Sequence, residues 1–410
     1  MMPSAYSFFE SMHDTNQTPA RIANGSFSTA YRAYPFSCKF YDDALYGQYQ
    51  GDLYVASAGN DGLDDSLLQS KERTIGNPAS CKNVLAGKYK YPQEILFSCP
   101  ASTQKLTNMR FFFYFAVGAS QSYGDRLTSG DKGVDYLAAF SSRGPTYDGR
   151  MKPDLVAPGS SVLTAYAQES GTVQDYGTSV SGPVVAGNAA LVRQYFEDGK
   201  LPCKRNCSLD PSGSLVKAVL MNSAYSLKQV QVSSPWLEKR LLEQVNEYDS
   251  NQGMGLIQLD KTLPIPDRNK FTAIVRNNEV IQDQDYHDIY VRANPGACRN
   301  TSYKRDFSAT LAWYDPSGAS SCAKCLLDDL DISVHLVKNN GKVKNASVKY
   351  PNGGSRKDYD NNVERIRFKM KGRKLYRIRI HASNLSTANT KYSMIASGCF
   401  KEITIPPWQR

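Results

Sequence analysis

Long hydrophobic runs are missing from this 410-residue chain, and histidine is scarce, with only four residues. The longest near-continuous apolar run, 111–119, is far shorter than the roughly 20 residues that a membrane-spanning helix needs. We therefore predict that this chain has no membrane span. No apolar segment lies in the first thirty residues either, which excludes a secretory signal within the chain as given.

Sequence patterns for common cofactors are missing too. The chain has no phosphate-loop motif and no His-Glu-x-x-His motif, and Gly253-Met-Gly255 lacks the third glycine and the preceding strand of a dinucleotide site. The composition, 41% hydrophobic and 21% charged, is typical of a globular protein and excludes a disordered or collagen-like chain. At this length we expect two domains.

The net charge of +10 raises the question of nucleic-acid binding, which depends on clustered Lys and Arg side chains. Here the basic residues are spread along the chain, with one modest concentration at Lys369–Arg379. Those charges alternate with apolar residues, as in a strand that has one solvated face. We therefore expect screened surface charge and no nucleic-acid partner.

Cysteines and Asn-x-Ser/Thr sequons both favour an oxidising compartment. The chain has nine cysteines, many for a cytosolic protein of this length, and six sequons. Cys322-Ala-Lys-Cys325 is also compatible with half a zinc site, although the second pair that such a site needs is not evident beyond Cys203 and Cys207. Disulfides are the favoured interpretation, and we expect a glycoprotein that is secreted or lies in the endomembrane lumen.

The pattern of the chain changes at about residue 264. Before it, 52–58 indicates a buried strand, and Pro183–Phe196 and Ser214–Tyr225 indicate helices. Pro183–Phe196 is apolar on nearly every side, which predicts a helix enclosed in a core. Strands that alternate with helices predict an α/β unit over residues 1–264, with a sheet covered on both faces.

The remaining residues, 265–410, have a different texture. Short alternating segments such as Phe307–Trp313 and Ile332–Val337 are separated by Pro, Gly, Asn and Asp turns, and no helical stretch of comparable quality appears. This half therefore predicts an antiparallel β-sandwich.

Two short motifs carry candidate chemistry. Gly177-Thr-Ser-Val-Ser-Gly-Pro183 leads into a helix, where the positive end of the peptide dipoles favours a nucleophilic serine. The alternative is that Ser179 or Ser181 only caps the helix. Asn60 follows the buried strand, and its amide can stabilise an oxyanion, although Asn-Asp-Gly is also an ordinary turn sequence.

Together these motifs resemble those of the subtilisin-like serine proteases (subtilases, peptidase family S8). Residues 177–183 look like the serine motif, 56–62 like the oxyanion-asparagine motif, and 140–159 like the segment that precedes the serine, all in the family's order. The resemblance implies an incomplete subtilisin-like parallel sheet with helices on both faces, and hydrolysis of polypeptide substrates through a serine acyl-enzyme. That chemistry requires no cofactor, and the sequence does not indicate an oligomeric state.

The resemblance also implies roles for particular residues. Ser179 corresponds to the nucleophile and Asn60 to the oxyanion donor. Arg21–Ser28 is similar to the family's substrate-pairing strand, although Ser28 stands where glycine is usual. The expected substrate-binding residues are Ser26, Phe27, Ser28, Ala58 and Gly59.

The second domain resembles the jelly-roll domain that follows the catalytic domain in the oxidatively stable alkaline subtilases. Its similar segments are 311–316, 327–332 and 361–364. Those proteins bind calcium, and Asp328, Asp329 and Asp331 supply the hard oxygen ligands that calcium prefers. A solvated acidic turn is the alternative interpretation of these three residues.

A disulfide between Cys38 and Cys81 is a separate expectation. These cysteines lie shortly before and shortly after the oxyanion strand, so a bond between them would close the chain locally.

Two parts of the family's catalytic machinery are absent from the sequence. In subtilisin-like chains the catalytic Asp and His both precede the serine. Only His13 does so here, without the glycine-rich context of the family's histidine, and we interpret it as a surface residue. We therefore expect the chain to begin partway through a catalytic domain and to be inactive as given. A non-catalytic binding protein that kept the subtilase fold is the alternative.

Residues 87–116 match nothing in the family, whereas the likeness holds up to Ala86 and resumes at Val117. We interpret this stretch as a non-family insert and hypothesise that it is a translated intron. The alternative is a surface loop, because long insertions at a protein surface cost little.

Overall fold

The structure is a computed structural model of the chain, and it describes most of both predicted domains. The described residues are 12–13, 20–25, 33–64, 69–70, 72–85, 113–114, 118–120, 136–160, 162–165, 170–202, 207–227, 229–231, 239–241, 248–265, 271–298, 306–338, 340–344 and 347–403. Of the short isolated strands at 63–64, 69–70, 113–114, 118–120, 229–231 and 239–241, only the backbone is described.

The first unit alternates helices with short strands. Its described helices are α1 (Phe36–Tyr46), α2 (Thr178–Glu197) and α3 (Gly213–Ser223). Its described strands are β1 (Ile22–Gly25), β2 (Leu53–Ala56), β3 (Leu63–Asp64), β4 (Gln69–Ser70), β5 (Phe113–Tyr114), β6 (Gly118–Ser120), β7 (Tyr136–Leu137), β8 (Val156–Pro158), β9 (Val162–Ala165), β10 (Thr172–Asp175), β11 (Gln229–Gln231) and β12 (Lys239–Leu241). None of the helices described here is both long enough and apolar enough to cross a membrane.

Helices cover both faces of the sheet that contains β2. Side chains of successive strand residues point to opposite faces. Leu53 and Val55 accordingly enter the core that includes α2 and α3, whereas Tyr54 and Ala56 enter the core that includes α1. β1 runs parallel to β2 on one side and to β5 on the other. The predicted α/β unit with a doubly covered parallel sheet is therefore confirmed.

A second sheet in this unit has the strand order β12-β11-β7-β6-β8 and mixes parallel with antiparallel pairs. Its strand β6 pairs in parallel with β8, Gly118 lying opposite Val156. Leu85, by contrast, forms a parallel bridge with Val55 of β2 in the first sheet. The chain before the predicted insert and the chain after it therefore join two different sheets.

The prediction that α2 is enclosed on every side is wrong. The helix buries one stripe, formed by Val185, Ala189, Val192 and Phe196, which recur at the spacing of one helix face. On the opposite side Leu191 is 56% exposed. The apolar residues of that outer face are mostly Ala and Gly, whose exposure to solvent costs little free energy. The apolar composition of the segment therefore predicted more burial of the helix than the structure shows.

The second unit is the predicted antiparallel β-sandwich. Its strands are β13 (Thr272–Gln282), β14 (Tyr286–Ala293), β15 (Asp306–Trp313), β16 (Asp329–Val337), β17 (Val363–Lys369), β18 (Leu375–Asn384), β19 (Asn389–Gly398) and β20 (Phe400–Glu402). They form two four-stranded sheets, β13-β19-β15-β17 and β16-β18-β14-β20, which enclose a common apolar core.

Helix α3 lies between the two units and joins them. Every one of its residues is buried, including Lys217 and Asn222. One side belongs to the same core as Leu53 and Val55, and the same core includes Ala312 and Ile395 of the sandwich. At its C-terminal end, Arg365 of β17 donates to the carbonyl oxygens of Met221 and Ala224, at 2.9 Å each. The last carbonyls of a helix need such donors, so the sandwich completes this helix.

Candidate active site

The two predicted catalytic residues lie at the same edge of the sheet. Asn60 follows the carboxyl end of β2, and Ser179 is the second residue of α2, after the N-cap residue Gly177 and the first helical residue Thr178. No side chain caps this helix, and Ser181 is buried. The alternative interpretation of Ser179 or Ser181 as a simple N-cap therefore does not apply.

Gly177 sets the geometry between the serine and the asparagine. It has φ +139°, a conformation that side-chain-bearing residues rarely adopt. A Cβ atom at this glycine would lie 2.8 Å from Ser179 Oγ and 3.5 Å from Asn60 Nδ2. Both polar atoms thus face one small space that only a glycine leaves open. The backbone N–H of Ser179, one of the first in the helix and so without an intrahelical acceptor, lies 3.6 Å from the same point.

Thr178 fixes the orientation of the Asn60 amide. Asn60 Oδ1 accepts hydrogen bonds from the backbone N–H and from the hydroxyl of Thr178, both at 3.0 Å. With its oxygen held there, the amide presents Nδ2 to the space beside Ser179. A preorganised donor of this kind stabilises negative charge that develops on a substrate oxygen. Thr178 was not identified as a functional residue from the sequence, although it lies between Gly177 and Ser179 in the serine motif.

Ser142 holds the backbone on both sides of Asn60. Its N–H donates to the carbonyl oxygen of Gly59 at 2.6 Å, and its hydroxyl accepts from the N–H of Asp61 at 3.2 Å. Gly62 lies so close to this segment that a Cβ would fall 2.0 Å from Ser141 O. The segment 140–142 therefore positions the asparagine loop, a role that sequence reasoning also missed.

The expected substrate-binding residues are placed as follows. Ala58 is fully buried behind Asn60, and the N–H of Gly59 donates to the Thr178 hydroxyl at 3.3 Å. Ser26, Phe27 and Ser28 lie outside the described residues. They follow β1 directly, and Gly25 is aligned with Ala56, so the chain leaves β1 at the edge of the sheet where Asn60 lies.

His13 lies at the opposite edge of the sheet. Its Nε2 is 2.7 Å from a carboxylate oxygen of Asp52, which precedes β2, whereas Asn60 follows that strand. The length of β2, about 3.3 Å per residue, separates the imidazole from the serine edge. His287, His335 and His381 all belong to the sandwich. Within the described ranges, no side chain forms a hydrogen bond with Ser179 Oγ.

The three predicted acidic residues of the sandwich are joined by a fourth, Glu364. Asp328, Asp329, Asp331 and Glu364 each have a buried carboxylate oxygen without a hydrogen-bond partner among the described residues. Burial and the neighbouring Asp331 raise the pKa of Asp329 to about 6, and burial with the charges of Asp358 and Asp331 raises the pKa of Glu364 well above its usual value. The other oxygen of Asp328 accepts hydrogen bonds from the backbone and hydroxyl of Ser386, at 2.8 and 2.6 Å.

This acidic group fits a hard cation in its chemistry. Unpaired carboxylate oxygens that repel one another are the donors that calcium takes. In the structure, the Lys357 ammonium forms an ion pair with the Asp331 carboxylate at 2.6 Å and neutralises part of this negative charge. Among the described residues, no three acidic, histidine or cysteine side chains converge closely enough to hold a metal ion as they stand.

Comparison with known proteins identifies the family of the chain. The family model described as "Subtilase family" matches residues 4–255, more than half of the chain. The chain therefore belongs to the subtilase family.

Similar curated proteins include two from Dictyostelium discoideum. "Serine protease/ABC transporter B family protein tagA" is 32% identical over 282 residues, which cover 62% of this chain and 15% of that protein. The tagB protein of the same description is 26% identical over 312 residues, covering 64% and 16%. The C5a peptidase of Streptococcus pyogenes is 40% identical over 91 residues, covering 22% and 7%. The chain thus spans less than a fifth of the length of these relatives.

Among solved structures, the self-cleaved protease domain of PatA has 21% identity and a TM-score of 0.32, covering 54% of this chain and 58% of that one. Tripeptidyl peptidase 2 has 12% identity and the same TM-score, covering 96% and 36%.

Proposed function

We propose that this fold carries the acyl-transfer site of a serine endopeptidase. Ser179 Oγ attacks the peptide carbonyl, and the developing oxyanion is stabilised by Asn60 Nδ2 and the Ser179 N–H. The observation that carries this proposal is that the serine oxygen and the asparagine amide nitrogen lie within 3.5 Å of one point beside Gly177. Two donors aimed at one oxygen are what a tetrahedral intermediate requires.

We further propose that the 410-residue chain does not supply its own general base. A base must come within hydrogen-bonding distance of the proton that it removes. His13 is paired with Asp52 at the other edge of the sheet, and the remaining histidines belong to the sandwich. Without a base, a serine protease retains only the modest catalysis of its oxyanion hole and substrate binding.

A fluorophosphonate probe tests both parts of the proposal. We expect the chain as given to be labelled at Ser179 no faster than its denatured form. A fusion that places a subtilase segment with the Asp and His motifs before residue 20 should be labelled in a fold-dependent way. Ser179→Ala should abolish that labelling, and Asn60→Ala should slow hydrolysis of a peptide substrate by about 10²–10³-fold.

The outcomes separate the two functions that the fold allows. Rapid labelling of the unextended chain would show that the base is present after all. If the folded fusion fails to react as well, the site is not catalytic, and the alternative of a non-catalytic subtilase-fold binding protein takes its place. The position of His13, away from Ser179, is the observation that favours this second candidate.

We propose that the protein works in an oxidising compartment, secreted or in the endomembrane lumen. In the part of the chain that the structure describes, three cysteine pairs lie at disulfide-bonding distance: Cys38 with Cys81, Cys298 with Cys399, and Cys322 with Cys325. Such a set of pairs is uncommon in reducing compartments. The Cys38–Cys81 pair connects α1 to the segment after β2, so it braces the asparagine strand from the side opposite to α2.

Oxidised protein should therefore yield a Cys38–Cys81 cross-linked peptide in non-reducing mapping. Replacing both cysteines with alanine should lower the free energy of unfolding by about 2–4 kcal/mol, because the unfolded chain loses a loop constraint. The Cys322→Ala, Cys325→Ala variant is a matched control, since its pair closes a loop of sequence separation 3 and should contribute less. Cys38 recovered as a free thiol, or linked to a sandwich cysteine, would contradict the prediction.

We also propose structural calcium in the sandwich, held by Asp328, Asp329, Asp331 and Glu364 after these side chains move closer together. No catalytic step depends on it. The support is that four buried carboxylate oxygens lack partners among the described residues, while burial and mutual repulsion raise the pKa of Asp329 and Glu364. A bound divalent cation would remove that repulsion.

Calcium should accordingly raise the melting temperature relative to EGTA at neutral pH, by several degrees if the gain is about 1–2 kcal/mol. Glu364→Gln should abolish the calcium effect while raising the melting temperature in EGTA, because it removes a carboxyl group whose charged form burial and the neighbouring Asp358 and Asp331 disfavour. The exposed Glu279→Gln should behave like the wild type in both conditions. Equal melting temperatures of the wild type with calcium and with EGTA would refute the calcium site.

A further inference from the structure

A cavity of about 290 Å³ lies between the two units, away from the serine edge. One wall is the C-terminal end of α1 with Tyr46 and Gln50, and the other is formed by β13 and β19 of the sandwich. We call it the interdomain cavity. Its volume is at the lower end of the range of small-molecule sites.

A β-bulge shapes the sandwich wall of this cavity. The pairing of β13 with β19 shifts register between Arg276 and Glu279, and within the bulge Asn278 adopts φ +54°. Asparagine tolerates this left-handed conformation better than most residues, but it is uncommon inside a strand. The side chain of the neighbouring Asn277 has a protein partner, because its Oδ1 accepts a hydrogen bond from the N–H of Ser212 at 2.9 Å. The bulge thereby places Asn278 in the cavity lining, and its carboxamide forms no hydrogen bond with the described residues.

Other polar side chains around the interdomain cavity also lack hydrogen-bond partners among the described residues. Thr390 is 2% exposed, and its Oγ1 has no hydrogen-bond partner in the part of the chain that the structure describes. Burying a hydroxyl without a partner costs free energy, so a hydrogen-bond partner for Thr390 would be favourable. The half-buried Tyr46 hydroxyl and the exposed Asn389 carboxamide also line the cavity, and neither forms a hydrogen bond with described residues.

The charges of the residues that line the cavity favour a neutral ligand. Among the described residues, the lining contains no carboxylate and one cation, Lys391, which already donates to Gln50 Oε1 at 3.0 Å. Amides and hydroxyls both donate and accept, which matches the vicinal hydroxyl groups of a sugar. Tyr46 and Tyr314 add aromatic rings, which can pack against the apolar face of a pyranose. The hydroxyl of Tyr314 is anchored to Asp52 O at 2.6 Å, so that ring is fixed in place.

We propose that the interdomain cavity binds a neutral saccharide of about one pyranose ring. The site is separate from the proposed peptidase site and does not depend on it. Contacts of this kind with a ligand of so few atoms correspond to dissociation constants in the millimolar range.

Saturation-transfer difference NMR on the full chain tests this proposal. The probes are methyl α-D-mannopyranoside, methyl β-D-glucopyranoside and N-acetylglucosamine, with methyl phosphate as an anionic competitor. We expect at least one sugar to bind with a millimolar dissociation constant and methyl phosphate not to displace it. Asn278→Gly, which keeps the left-handed backbone but removes the amide, should weaken binding by about tenfold.

A matched control is available in the same half of the chain. Gln284 also has positive φ, +62°, and does not line the cavity, so Gln284→Gly should leave sugar binding unchanged. The proposal is overturned if none of the three sugars binds below 20 mM, a cut-off roughly tenfold above the expected range. It is equally overturned if Asn278→Gly and Gln284→Gly bind the sugar alike, or if methyl phosphate displaces the sugar.

Discussion

Replacing Asp315 with alanine is expected to lower the free energy of unfolding by about 3–5 kcal/mol, because it leaves a buried ammonium group without its counter-charge. Lys82 and Asp315 are both completely buried, and their ion pair joins the α/β unit to the sandwich. The Lys82 ammonium contacts the Asp315 carboxylate and also donates to the carbonyl oxygen of Cys325 at 2.7 Å. The same carboxylate accepts from the backbone N–H of Asp328 at 2.7 Å, so alanine removes several partners together.

Urea unfolding followed by tryptophan fluorescence measures this effect. The control is Asp43→Ala, which breaks the exposed pair of Lys39 and Asp43, separated by one helical turn, and should cost less than about 0.5 kcal/mol. Lys82→Met combined with Asp315→Ala should recover part of the loss, because no charge then remains buried. A loss below about 1 kcal/mol for Asp315→Ala alone would show that Lys82 reaches solvent and that the joint is not as tight as described.

The second large effect concerns residues 87–116, which we expect to be absent from the mature protein because their codons are an unspliced intron. Gly87-Lys-Tyr can be encoded with GTAAGTA, and 111–117 by a pyrimidine tract that ends in GCAG. Removing the stretch regenerates a valine codon in frame. It also leaves eight cysteines, an even number, and lowers the net charge from +10 to +7, since the insert carries four basic residues and one acidic residue.

The arrangement of strands supplies a physical reason for this expectation. Most of the insert lies outside the described residues; of it, only Phe113 and Tyr114 are described, as the short strand β5. Immediately before the insert, Leu85 bridges to β2, and shortly after it Gly118–Ser120 pairs with β8. A direct Ala86–Val117 connection would make one strand that touches both sheets, so the two sheets would merge into a single mixed sheet. The insert also adds the run Phe111–Phe115, a segment with aggregation-prone composition.

Reverse-transcription sequencing across codons 80–125 decides whether the stretch is retained. The corresponding protein experiment compares the 410-residue chain with the variant that lacks residues 87–116. We expect the shorter chain to be more soluble and to unfold at a higher urea concentration, because a continuous strand contributes more ladder hydrogen bonds and packing than two fragments. Transcripts that uniformly retain the 90 bases, together with a shorter chain that fails to fold, would show that the stretch is a genuine surface loop.

The local features of this protein could be determined from its sequence alone. The family, the α/β unit and the sandwich follow from patterns whose residues are close together along the chain, and the same is true of the prediction that Ser179 and Asn60 form the candidate site. Short-range patterns of this kind carry their own geometry, since a glycine next to a helix start and an amide after a buried strand place their groups without help from distant residues. The change of texture near residue 264 is likewise a matter of local periodicity.

Only the tertiary structure decided which faces are covered and which charges meet. The spacing of α3 predicts a helix, but its complete burial arises because the sandwich packs on the side that the sheet leaves free. Glu364 is 35 residues from Asp329 in the chain, so the sequence did not group it with Asp328, Asp329 and Asp331. His13 and Asp52 are 39 residues apart in the sequence, and only the packing of their elements brings the two side chains into contact. Long-range burial and charge pairing depend on how separate elements pack together, and no local pattern encodes that packing.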